Sequence, residues 1–326
     1  PKGGRRARVG SLYEILKNKG AVFGVVDGWE VANWFAPDGV EAKDVWGFER
    51  ANWFEHVARE CQWARDKAGI FDHTAVAIHS VSGPGSTALL LALSDSPLPE
   101  IGQRGFGVFL SRHGGVELVV KIDRLAGEHY RLLASADKER QVTDYLKNHR
   151  RGDVAIQVDT EGTGVLVLAG PMATSLLTRV CGVDIGQVVP LTFQEGTIAE
   201  CPVRLVRGDA IDPCAWEIHA QREHQPIIYR SLTAASEPLC DFGLRAYESL
   251  RLERGRARFG VDFSIENSAT AANLANLIDP ESAHTRNEVV KDECPKDRFR
   301  LVHLTIDDQD LPIDPWGESS LKPRVK

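Results

Sequence analysis

Three stretches hold residues whose types and spacing bear on chemistry. In the first, Gly114-Gly115-Val116-Glu117-Leu118-Val119-Val120 is followed by Asp123-Arg124-Leu125, so a glycine turn opens a strand that carries acids. Strand side chains alternate, which puts Glu117 and Val119 on one face, about 7 Å apart along the chain. A positioned carboxylate there can move protons as a general acid or base; the plainer reading of Glu117 is an ordinary surface acid. In the second stretch, Trp216-Glu217-Ile218-His219, Glu217 reads by itself as a solvent-facing strand residue. His219 and His224 are five apart, a spacing that suits metal ligation on neither strand nor helix, and both read as surface histidines. In the third, Arg251, Arg254, Arg256 and Arg258 place four arginines within eight residues. Such a cluster can grip polyanions. Equally, Arg251 can pair with Glu248 or Glu253 while the others stay solvated.

Several chemistries are absent from the pattern. No GxGxxG follows a strand and no GxxxxGK[ST] occurs, so nucleotide and dinucleotide binding have no support. There is no GxSxG, and Ser, His and Asp are too scattered to argue a triad. Asp307-Asp308-Gln309-Asp310 lacks the glycine and closing glutamate of a calcium loop and reads as a solvated turn. The six cysteines make no CxxC and no zinc spacing; they are expected as buried free thiols, which suits a reducing compartment. A net charge of −7 argues against a general nucleic-acid binder. The longest apolar runs, 88–93 and 165–169, fall far short of the roughly 20 residues that span a bilayer. The start, Pro1 to Arg6, has no signal region and reads as a basic tail or the edge of something longer.

The elements that must position these residues follow from periodicity. The spacing predicts a helix over 11–16 capped by Ser11, then two aromatic blocks, 28–35 and 48–54. Four of the seven tryptophans lie between 29 and 53, and a loop laying rings over a domain surface is the expected form. A helix over 55–69, with Gly69 as its C-cap, leads into a strand over 75–81. A helix through Leu93, strands over 105–110, 116–122 and 129–134, and a helix over 138–149 come next. Strands over 154–158 and 164–169 and a helix over 173–180 complete the first half. The second half reads as strands over 197–206 and 216–219, helices over 226–235 and 242–254, and a strand over 301–306. This order predicts an α+β fold with mixed or antiparallel sheets rather than a doubly wound parallel sheet.

Taken together, several segments resemble the folate-binding region of dimethylglycine and sarcosine dehydrogenase-like proteins, part of the glycine-cleavage aminomethyltransferase family. They are Lys19 to Gly24, Gly28-Trp29-Glu30, Asn52-Trp53-Phe54-Glu55, Gly69-Ile70-Phe71-Asp72, the Gly114-Gly115 turn and Leu168-Ala169-Gly170-Pro171. Asp241-Phe242-Gly243-Leu244 running into Tyr247-Glu248-Ser249-Leu250-Arg251-Leu252-Glu253, and Asp314-Pro315-Trp316-Gly317, complete the set. Their shared order covers Ser11 to about Leu321.

The resemblance implies an aminomethyltransferase-like fold with the start of a C-terminal β-barrel. It divides the chain into a lead-in over 1–55, a folate-binding domain over 56–281 and a truncated barrel-like segment over 282–326. It implies tetrahydrofolate as the cofactor, no FAD-binding domain within this chain, and a flavoprotein dehydrogenase domain or subunit as partner; the reducing compartment suited to the free thiols is the cytoplasm or mitochondrial matrix. It also implies that Glu217 holds the pterin edge, with Trp216 and Tyr247 beside the folate and Arg251 near its anionic parts. The family aspartate four residues after the second glycine is Val119 here, which leaves Glu117 as a weak substitute. Where relatives carry a tyrosine, this chain has Ala210, and Thr-Pro-x-Glu-Ala-Gly-Leu reads Ser268-Ala269-Thr270-Ala271-Ala272-Asn273-Leu274. Two readings follow: an impaired one-carbon transfer module, or a pseudoenzyme scaffold or regulatory subunit without turnover.

Overall fold

Alternating apolar residues set most of the strands, and the computed structural model shows how they pair. It describes residues 6–46, 48, 50–111, 114–208, 213–235, 239–279 and 301–303. Strands β1 (Arg8–Val9), β2 (Ala21–Val26) and β3 (Trp29–Phe35) form a small sheet in the order β1-β3-β2. Strands β4 (Ala68–Asp72), β10 (Thr163–Ala169), β11 (Phe193–Ile198), β12 (Cys201–Arg207), β13 (Trp216–Gln221) and β14 (Leu239–Asp241) form a second sheet, ordered β11-β12-β13-β10-β4-β14. Strands β5 (Val76–Ser82), β6 (Arg104–Leu110), β7 (Val116–Ala126), β8 (His129–Ser135) and β9 (Ala155–Val158) form a third, ordered β6-β7-β8-β5-β9. The third sheet is antiparallel throughout, while β14 joins β4 and β1 joins β3 in parallel. The mixed and antiparallel sheets of an α+β fold are therefore present.

The helices are α1 (Tyr13–Asn18), α2 (Phe54–Asp66), α3 (Ser86–Leu93), α4 (Glu139–His149), α5 (Ala173–Val180), α6 (Gln225–Thr233) and α7 (Leu244–Glu253). One face of the six-stranded sheet offers Leu166, Leu168, Leu205, Trp216 and Ile218 to α1, α5 and α6. Its other face offers Phe71, Val167 and Ala169 to Trp29 and Trp34 of β3 and to α2 and α7. The five-stranded sheet covers one face with α3 and α4 through Leu118, Val120, Ile122 and Leu132. Its opposite face meets the six-stranded sheet, where Val76, Ile78 and Leu133 close against Val165. This seam positions the site described below. Among the described residues, no helix is long and apolar enough to cross a membrane.

Local chemistry explains where the structure departs from the sequence pattern. Residues 29–35 are not a surface loop but strand β3, with Trp29 and Trp34 fully buried. Indole rings anchor that strand because each buries a large apolar area. Ser11 does not cap the first helix; its hydroxyl donates to Gln225 Oε1, and the helix starts two residues later at Tyr13. Gly69 is not a helix cap but lies inside β4, since α2 stops at Asp66. The strand predicted over 197–206 is a hairpin of β11 and β12, turning at Ala199 (φ 48°) and Glu200 (φ 64°). Two left-handed residues make the tight turn that matches strand twist, but neither is the usual Gly or Asn. Of the described cysteines, Cys61, Cys181 and Cys201 are buried free thiols, whereas Cys214 is exposed. Of the strand predicted over 301–306, only 301–303 are described; they are not strand, and Leu301 N–H donates to Ala271 O. The expected barrel segment and the acidic turn at 307–310 lie outside the described residues.

Glu60 of α2 ties distant parts of the chain together. Its carboxylate accepts the Phe35 N–H at 2.8 Å and the Gly243 N–H at 2.8 Å. Gly243 is required there, because a Cβ would sit 2.2 Å from the Asn33 carbonyl oxygen. Burial pushes the Glu60 carboxyl up to about 7, against the lowering effect of those two N–H donors. A carboxyl raised in the folded state stabilises the fold while protonated, so its contribution fades as pH rises from about 4.5 to about 7. A shift of this size corresponds to roughly 3 kcal/mol. We therefore expect Glu60→Gln to flatten the fall in stability between pH 5 and 8, read from urea midpoints; an unchanged slope would refute the assignment.

Candidate functional site

The site grows from alternation along β13. Trp216 and Ile218 point into the helix-covered core, which sends Glu217 and His219 to the seam. Both are buried, at 1% and 2% exposure, so His219 is not the surface histidine expected from the sequence, and the plainer, solvent-facing reading of Glu217 does not hold. Three groups from two sheets converge on the Glu217 carboxylate. Arg104 Nη1 lies 2.7 Å from Oε2, Lys121 Nζ lies 2.5 Å from Oε1, and His219 Nε2 lies 2.8 Å from Oε2. Arg104 also forks onto Asp123, with Nε to Oδ1 at 2.6 Å and Nη2 to Oδ2 at 2.9 Å. Strand register makes that fork possible, since Arg104 on β6 stands opposite Asp123 on β7.

The charges balance. Arg104 and Lys121 are matched by Asp123 and Glu217. Burial opposes the Glu217 charge, but Arg104, Lys121 and His219 outweigh it and hold the carboxyl well below its ordinary range. Burial likewise opposes the Arg104 charge, and Asp123 and Glu217 overcome it. Burial lowers His219, leaving a neutral ring whose Nε2–H donates to Glu217. Arg104, Asp123, Glu217 and His219 have side chains at most 1% exposed, whereas Lys121 is 23% exposed. Lys121 is thus the member at the solvent edge.

The structure separates the other residues singled out from the sequence. Trp216 lies on the opposite face of β13 from Glu217, and its Nε1–H donates to Thr174 Oγ1 at 2.9 Å. Tyr247 is buried on α7, stacked on Phe71 at 4.9 Å between ring centres. Arg251 is buried and ion-paired to Glu248 at 2.7 Å and Asp262 at 2.8 Å, and it also donates to the Arg256 carbonyl. Glu253 pairs instead with Arg65. Glu117 is half-buried beside Tyr145 of α4, whose hydroxyl is pushed up to about 12, first by burial and then by the Glu117 charge. Val119 stands opposite Val108 and packs with Phe263, Ala269 and Ile278.

Arg104 and Lys121 were not singled out by the sequence. Lys121 was within reach of it, since Val119, Lys121 and Asp123 alternate onto one face; Glu117 does not share that face as its spacing suggested, because the β6–β7 register shifts beside it and it lies against Tyr145 of α4. Arg104 was not, because its role depends on the pairing register of β6 with β7.

A family model described as the GCVT N-terminal domain matches residues 12–282. Mitochondrial dimethylglycine dehydrogenase of Mus musculus is 27% identical over 324 residues, covering 96% of this chain and 37% of that protein. The aminomethyltransferase of Chloroherpeton thalassium is 24% identical over 283 residues, covering 84% of this chain and 77% of that one. The chain thus spans well under half the length of the mitochondrial dehydrogenase. Glycine cleavage system aminomethyltransferase T from Bartonella henselae shares the fold, with a TM-score of 0.71 at 22% identity over 86% of this chain and 71% of that one.

Breaking a buried pair leaves an uncompensated charge, which costs about 3–5 kcal/mol. We expect Asp123→Asn to lower the unfolding free energy by about that amount, measured by urea denaturation at pH 7. Glu217, whose folded value is depressed, contributes stability above the ordinary glutamate value of about 4.5, lost as pH falls through the lower folded value. Glu217→Gln should therefore show a shallower loss of stability between pH 5 and 3 than the wild type; parallel curves would count against the network.

Proposed function

The chain belongs to the GCVT N-terminal domain family, and from that premise we propose that it is a tetrahydrofolate-binding one-carbon transfer module of impaired turnover, akin to the C-terminal part of dimethylglycine and sarcosine dehydrogenases. The observation that carries this reading is the Glu217 carboxylate, kept ionised and fixed in direction by Arg104, Lys121 and His219. A preorganised anionic acceptor suits the N–H edge of a reduced pterin. A carboxylate has about four acceptor positions, so three neighbours leave one for a ligand donor. When bound, tetrahydrofolate would supply the amine nitrogens that accept the one-carbon unit.

The remaining roles follow from this chain's residues. Glu217 would orient the pterin, and Lys121, at the solvent edge, would move with ligand entry. Arg251 would order its own helix terminus through Glu248 and Asp262 rather than reach an anionic tail directly. Trp216 and Tyr247 would support the site from behind, as buried packing groups. Glu117, beside Tyr145, would be a poor proton handler. The lead-in over 1–55, the central domain over 56–281 and the closing segment over 282–326 are a proposed division, in which the lead-in lends β1, β2 and β3 to the core. A flavoprotein dehydrogenase domain or subunit is the proposed partner, and the cytoplasm or mitochondrial matrix the proposed location.

The second reading, a pseudoenzyme scaffold or regulatory subunit, draws on the apolar packing of Val119 where the family pattern has an acid. Calorimetry separates the two. We expect the wild type to bind tetrahydrofolate and Glu217→Gln to bind at least about tenfold more weakly, the loss of one charge-assisted hydrogen bond. Val119→Asp should then raise one-carbon transfer. A folded chain that ignores millimolar tetrahydrofolate would leave the scaffold reading standing.

A further inference from the structure

Beside the Glu217 network, two arginines share the seam with little to neutralise them. Arg131 on β8 stands opposite Asp123 on β7, and Arg204 on β12 stands opposite His219 on β13. Cross-strand partners point the same way, so both guanidiniums leave their sheets on the faces that meet. Their side chains are 19% and 16% exposed. Asp123 and His219, their neighbours across the strands, are already engaged by Arg104 and Glu217.

The acids that face the pair compensate it incompletely. Asp159 is 3.9 Å from Arg131 and 39% exposed, and one of its oxygens is taken by Thr163. Glu195 holds Arg204 Nε and Nη2 but is 62% exposed. Arg204 Nη1 is buried without a hydrogen-bond partner among the described residues. Burial lowers Arg131, and the Arg204 charge lowers it further. His129, on the same strand as Arg131, is lowered first by burial and then by both arginines, so it adds no third charge near pH 7.

We propose that Arg131 and Arg204 form an anion subsite at the mouth of the seam, and that its ligand group is a carboxylate. Two guanidinium forks match the planar, bidentate acceptor geometry of a carboxylate. A phosphate dianion would also meet forks, but the partial compensation already supplied to Arg131 by Asp159, Asp123 and Glu195 leaves room for one negative charge rather than two. The subsite does not depend on a pterin: a simple dicarboxylate is enough to fill it.

The test uses glutarate as the probe. Thermal midpoints are followed against glutarate, inorganic phosphate and chloride at matched ionic strength. Glutarate should stabilise the wild type in a saturable way and at lower concentration than phosphate. Arg131→Gln should raise the half-saturating concentration at least tenfold. Glu195→Gln, at an exposed position that leaves the core intact, frees the Arg204 fork and should lower it two- to fivefold. Arg140→Gln, on the outer face of α4, should leave it unchanged. A glutarate response no greater than chloride, or one equal in the Glu195→Gln and wild-type proteins, overturns the subsite. Phosphate saturating below glutarate overturns the carboxylate assignment. Because glutarate carries no ring, failure here is separate from failure to bind tetrahydrofolate.

Discussion

Everything at the seam depends on one requirement: ionised groups taken out of water must find opposite charges within contact distance. Arg104, Asp123, Glu217 and Lys121 meet it only if β6 pairs with β7 in one register and β13 faces them across the gap. A one-residue slip of β7 would turn Asp123 and Lys121 toward α3 and α4 and drive Leu118, Val120 and Ile122 into the seam. Such a slip would strand two charges in an apolar layer. The network therefore fixes register and sheet apposition, although its net contribution to stability can be small. Apolar packing of Val76, Ile78, Leu133 and Val165 supplies the adhesion that the charges do not.

Much of the fold was legible because long strands and helices carry their period in the chain. The strand over 116–122, the helix over 138–149 and the buried run over 164–169 are found where alternation or helical spacing puts them. The failures have separate physical causes. Ala199 and Glu200 turn a hairpin without a Gly or Asn to mark it. Residues 29–35 read as loop because aromatic residues crowd both faces, yet both faces are covered.

The site was legible only in part, for a related reason. Glu217 stands out through its family pattern, but its surroundings do not: a buried acid and a solvent-facing acid look alike in a strand of alternating residues. Burial follows only once β10 and β12 flank β13 and the five-stranded sheet closes over it. The Arg104 to Glu217 contact spans more than a hundred residues and rests on two registers at once. The Arg251 pairing with Glu248 follows helical spacing and could be anticipated, whereas its contact with Asp262 comes from the turn beyond the helix.

The Glu60 clip has a consequence for the order of assembly. One of its two bonds reaches 183 residues along the chain to Gly243, while the other holds the edge of β3 only 25 residues back. Closing so long a loop is slow and comes late. A chain emerging N-terminus first would hold the Trp29 and Trp34 strand without its lid until the start of α7 had left the ribosome. During that interval the side of this strand that α7 covers stays exposed, although α2 is already made and can pack on the two indole rings.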